Sequence, residues 1–106
     1  MIKPLLIQLE QKKKFQRLLQ GVPATCGMKA GHVVLKPGES VGAHSTLGKE
    51  EALIILRGKA GVVCGESRLI KAKQDMFVYI PSGIRHDVKN TGKGVLEYIY
   101  VTVPVK

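Results

Sequence analysis

Tryptophan is absent from this 106-residue chain, and other aromatics are scarce, with three Tyr and two Phe. That is too few for a stacking platform on which single-stranded nucleic acid could lie. The two cysteines, Cys26 and Cys64, stand 38 positions apart and make no disulfide framework. There is no helix-turn-helix pattern and no paired-cysteine zinc signature. No apolar run approaches the ~20 residues of a membrane-spanning helix. The start, MIKPLLIQLEQKKK, has neither the apolar region nor the cleavage site of a signal peptide. Acidic residues are also in short supply: eight Asp and Glu stand against seventeen Lys and Arg, a formal charge of +9. A field of that sign concentrates anions around the molecule. The basic residues are scattered among turn signals, and only Lys12, Lys13 and Lys14 form a run. A solubilising surface is expected, and nucleic-acid binding is not. What remains is the expectation of one cytoplasmic domain over residues 1–106, with no membrane partner.

What the chain does have is glycine, proline and short apolar alternation. Twelve Gly and five Pro punctuate segments rich in Val, Ile and Leu. Period-2 patterning predicts strands over residues 28–36, 52–57, 61–64, 68–71, 76–80, 86–89 and 95–103. Turn signals separate them at 36–39, 57–59, 64–66, 81–83 and 90–92. Seven or more short strands at this spacing point to an all-β sandwich or barrel of antiparallel strands. Residues 14–19 read as an edge strand and residues 1–10 as a strand or arm. The apolar residues of that arm, Ile2, Leu5, Leu6, Ile7 and Leu9, exceed what a free tail should expose, so a homodimer is expected.

Two clusters carry chemistry. In the first, His44 and Thr46 share a face of an extended segment, and Glu51 opens a strand whose alternation sends Glu51, Leu53 and Ile55 to one side. In the second, His86 follows the Pro81-Ser82-Gly83 turn and starts another strand. Should these faces line one interior, two imidazoles and a carboxylate converge among aliphatic side chains. Such a donor set suits Fe, Mn, Ni or Zn and leaves positions open for water or substrate. Glu50 competes with Glu51, but the run to Gly58 favours Glu51 and turns Glu50 outward. His32 matches neither cluster and reads as structural or solvent-facing. Asn90 reads as a turn-shaping residue.

These clusters resemble the two motifs of the cupin superfamily. Gly38, His44, Glu51 and Gly58 stand at the spacing of the first motif, and Pro81, Gly83, His86 and Asn90 at that of the second. The resemblance covers residues 31–103 and implies a double-stranded β-helix, a jelly-roll barrel with its site inside. It also implies a metal held by His44, Glu51 and His86. Two departures stand out: Thr46 replaces the second histidine of the first motif, and Gln74-Asp75 replaces the glycine that opens the second. Thr46 is placed in the outer shell of the metal, with Leu53 and Ile55 lining the pocket and Arg85 at its mouth, where it could meet an anionic small molecule. Three functions remain open on the sequence alone. One is a metal-dependent oxygenase, isomerase or related enzyme, another a non-catalytic module that binds or senses a metabolite or metal, and the third a metal-free structural barrel.

Overall fold

The strands form where apolar residues alternate, and they end where glycine allows the backbone to turn. The structure, a computed structural model, describes residues 2–105. Met1, which the predicted arm includes, lies outside the described residues. Nine strands follow in order: β1 (Phe15–Gln20), β2 (Lys29–Leu35), β3 (His44–Ser45), β4 (Lys49–Arg57), β5 (Lys59–Cys64), β6 (Arg68–Lys73), β7 (Phe77–Ile80), β8 (Arg85–Asn90) and β9 (Leu96–Pro104). No helix occurs among the described residues. A five-stranded sheet runs β1-β2-β9-β4-β7 and a four-stranded sheet runs β3-β8-β5-β6. Every pairing is antiparallel.

The core draws on alternate residues of both sheets. Leu35, Leu53, Ile55, Leu96 and Tyr98 come from the larger sheet, Val62 and Val88 from the smaller, and all are buried. Each such aliphatic side chain contributes about 1.5–3 kcal/mol by leaving water. The β4 pattern shows the logic: Glu51, Leu53 and Ile55 are buried while Ala52, Ile54 and Leu56 are partly exposed.

Two motif positions have a clear backbone reason. Gly58 has φ +89°, and a Cβ there would stand 2.3 Å from the Val95 carbonyl oxygen. Only glycine passes that close. Asp75, in the turn where the second motif lacks its glycine, adopts φ 69°. Aspartate is among the few residues that tolerate this left-handed conformation, so the missing glycine leaves the turn intact.

The first strand is the edge strand expected from residues 14–19, displaced by one position. Residues 2–10 form an arm without strand pairing. It is tied to β1 through Gln16, whose side-chain amide donates to the Gln8 carbonyl and accepts from the Glu10 N–H at 2.9 and 2.8 Å.

Candidate metal centre

His44 and His86 face each other as directly opposed residues of β3 and β8. Their rings stand edge to face with centroids 4.2 Å apart. Glu51 approaches from β4 of the other sheet. Its Oε1 lies 3.3 Å from His86 Nε2 and 3.9 Å from His44 Nε2. Ligand atoms of the three residues all fall within 4.8 Å of one another. Glu51 and His86 are buried, whereas the His44 side chain keeps 49% of its surface open to solvent. The cluster sits at an accessible end of the barrel.

The tautomers follow from hydrogen bonding. His44 Nδ1 lies 3.1 Å from the Gly42 carbonyl oxygen and His86 Nδ1 lies 3.2 Å from that of Ile84. A carbonyl only accepts, so both Nδ1 atoms carry the proton. In each neutral ring Nε2 is then a bare lone pair aimed toward Glu51. His86 Nε2 is buried and forms no aligned hydrogen bond. A lone pair and a carboxylate at 3.3 Å repel unless a positive charge lies between them. That charge is either a proton or a metal ion. Burial works against a charged His86, but the Glu51 carboxylate and the Ile84 carbonyl, with Asp87 nearby, outweigh it and raise its pKa above the ordinary 6.5. Backbone carbonyls that fix Nδ1–H are the usual means of orienting metal-binding imidazoles. The residues present therefore fit a divalent metal with open positions.

Thr46 was expected in the metal's outer shell and has a different task. It lines the cavity at the cluster, but its hydroxyl is shared between the carbonyls of Pro81 (2.9 Å) and Ile84 (3.1 Å) and accepts the Ile84 N–H at 3.2 Å. It latches the end of β3 to the turn before β8, and so sets His44 against His86. Leu53 and Ile55 share the Glu51 face of β4, as predicted, but lie deeper in the hydrophobic core and do not line the cavity. Arg85 also lies outside it: as the strand neighbour of inward His86 it is exposed on the opposite face. The cations at the cavity are Arg17, Lys29 and Lys49, alongside Tyr100 and Thr102, none of which the sequence had singled out.

Glu50 does face away from the cluster, where its carboxylate accepts the Tyr79 hydroxyl at 2.8 Å. His32 is structural: buried, with Nε2 2.6 Å from Glu97 Oε2, while Arg57 Nε lies 3.5 Å from the other oxygen of Glu97. Asn90 is buried and shapes the turn after β8. Its amide nitrogen donates to the carbonyls of Leu35 and Gly94, and its oxygen accepts the Gly92 N–H, all at 2.9 Å.

Two antiparallel sheets around one core, with a His-Glu-His cluster at the open end, define a jelly-roll barrel of the double-stranded β-helix type. Residues 31–102 match the family described as Cupin domain. The chain belongs to that family. The mannose-1-phosphate guanylyltransferase of Salmonella montevideo is 34% identical over 70 residues, 65% of this chain and 14% of that enzyme. The chain thus spans about a seventh of the curated relative it matches. The Schizosaccharomyces pombe Cnp3 cupin domain has a TM-score of 0.78 at 24% identity, over 93% of this chain and 69% of that one. An RmlC-like cupin family protein with a double-stranded β-helix fold, from Methanocaldococcus jannaschii, has a TM-score of 0.76 at 22% identity, over 98% and 93%. Likeness at these identities establishes the fold.

Proposed function

We propose that this cupin domain holds one divalent metal ion, Fe, Mn, Ni or Zn, on His44, Glu51 and His86. Three protein donors would leave such an ion able to take a small-molecule ligand from the adjoining cavity. The observation that carries this reading is the buried Nε2 lone pair of His86 aimed at the Glu51 carboxylate. A metal held there would supply Lewis-acid chemistry. The chain's own part is to fix both imidazoles through the Gly42 and Ile84 carbonyls and to keep the His44 side open for entry. The test is elemental analysis of protein purified without chelator, followed by titration of metal into chelator-treated protein across pH. A near-stoichiometric first-row metal is expected, and a metal-free protein with no titratable affinity would overturn the reading.

The pH dependence has a definite sign. Metal binding displaces the His86 proton, so affinity falls on acidification, beginning above the pH expected of an ordinary imidazole. Chelator-treated protein behaves in the opposite sense. The raised folded-state pKa of His86 contributes stability that is complete below pH 6.5 and lost as pH rises through the raised value. Thermal midpoints of the two forms should therefore converge as pH falls. Midpoints that move in parallel would remove the proton–metal competition.

We also propose a homodimer. On the outward face of the five-stranded sheet, Phe77, Ile54 and Ile99 stand opposite one another across β7, β4 and β9. Phe77 is 66% exposed, and Leu6 of the arm is fully exposed. This apolar row and the exposed apolar side chains of the arm support pairing with a second copy. Light scattering at micromolar concentration should give twice the chain mass, and a monomeric mass would contradict the proposal. Two free thiols, Cys26 and Cys64, support a cytoplasmic location.

A further inference from the structure

The cavity at the His-Glu-His cluster has a volume of about 280 Å³, and its charge balance is uneven. Arg17, Lys29 and Lys49 line it, against the single carboxylate of Glu51. No salt bridge to any of the three cations occurs among the described residues, and Glu51 is turned to the two imidazoles. Counting only these four side chains, the cavity carries two net positive charges. The strand register explains the grouping. Lys29, Thr102 and Glu51 are successive cross-strand neighbours on β2, β9 and β4. Arg17, Gly31 and Tyr100 form another row across β1, β2 and β9. Gly31 has no side chain, and a Cβ there would stand 2.3–2.4 Å from the Tyr100 ring and hydroxyl. The ring therefore lies over Gly31, on the side of Arg17, and its hydroxyl joins the cationic rim.

We infer that Arg17, Lys29 and Lys49 form an oxyanion subsite, so that the ligand is a small molecule bearing a carboxylate or a phosphate. The inference rests on the metal reading only for what lies at the other end of the ligand. The anionic group sits on the three cations and the Tyr100 hydroxyl, and the remainder reaches the cluster. An arginine fork and two ammonium groups suit the several oxygens of either anion. The volume equals about nine water molecules at roughly 30 Å³ each, which fits a compact metabolite. Unpaired cations around a concave site also raise the local concentration of anions, which the +9 charge of the whole chain reinforces.

The test uses calorimetric titration of the full chain with sodium malonate, inorganic phosphate and the neutral isostere malonamide. Each is measured on metal-loaded and on chelator-treated protein. Wild-type protein should bind malonate or phosphate in both forms and malonamide at least tenfold more weakly. Tighter malonate assigns a carboxylate ligand, and tighter phosphate a phosphate ester. The double variant R17Q/K29Q should lose tenfold or more in anion affinity while its metal content stays unchanged. Both positions are exposed, so folding is not at risk. Lys49→Gln should give a smaller loss in the same direction. The inference is overturned by absence of anion binding to wild type, by equal binding of malonamide, or by wild-type affinity in the double variant. Chelator-treated protein and His86→Ala separate the two readings. Phosphate binding that persists without metal upholds the subsite, whatever becomes of the metal centre.

Discussion

In the His86→Ala variant, bound metal should fall to background after purification and added metal should hardly protect the fold. His86 is the buried imidazole of the cluster, with Nδ1 committed to Ile84 and Nε2 left for the ion. Its removal leaves one half-exposed histidine and one carboxylate, two donors in place of three. The expected loss of affinity is about a hundredfold or more, since loss of even an outer hydrogen-bond partner costs roughly 10–100-fold. The stability readout is equally direct. At metal a hundredfold above its dissociation constant, wild-type protein gains about 2.7 kcal/mol, which is roughly 10–20 °C in a domain of this size. With a hundredfold weaker site the variant should gain no more than about 0.4 kcal/mol. His32→Ala is the control: it breaks the buried contact with Glu97 and lowers stability, yet it should keep its metal. Wild-type metal content in His86→Ala would end the three-residue assignment.

Asn90→Ala should be strongly destabilising although it lies outside the hydrophobic core. One buried amide satisfies the carbonyls of Leu35 and Gly94 and the N–H of Gly92. Leu35 belongs to the five-stranded sheet and Asn90 to the four-stranded one, so the amide also joins the two halves of the barrel. Truncation leaves the Leu35 carbonyl without a partner where water is excluded, and the Gly94 carbonyl and Gly92 N–H without theirs in a part-buried turn. Each such group costs about 1–3 kcal/mol, partly relieved by relaxation, so a total near 2–4 kcal/mol is expected. That lowers the thermal midpoint by roughly 10–25 °C. Asn90→Asp should be no better, because it retains the acceptor for Gly92 and loses both donors. A midpoint within a few degrees of wild type would show that water replaces the amide.

The cluster was legible because it obeys local rules. His44, Glu51 and His86 each sit at a fixed offset from a turn, and period-2 alternation fixes which way each points. The same alternation turns Arg85 outward once His86 is inward. Depth, however, is not contained in parity. Leu53 and Ile55 share a face with Glu51, but β4 runs from the open end into the core, and only the fold tells how far. The Thr46 hydroxyl was beyond reach for a different reason: its partners lie 35 and 38 residues away. Arg17 and Lys29 were missed because they reach the cavity only through pairing of β1 and β2 onto β9. No local pattern marks a lysine on β2 as the cross-strand companion of a glutamate two strands distant.

The Tyr100 ring lying over Gly31 gives the molecule a built-in optical signal. A chain without tryptophan emits through tyrosine alone, and two of its three tyrosines, Tyr98 and Tyr100, stand on the inward face of β9. Tyr98 is buried, and that burial, with the Glu51 charge beside it, pushes its phenol far above the ordinary range. Its phenol is thereby held in the neutral, fluorescent form at ordinary pH. A coloured or paramagnetic ion at the cluster, or an anion beneath Tyr100, would therefore dim or shift an emission to which Tyr79 is the one other tyrosine contributor.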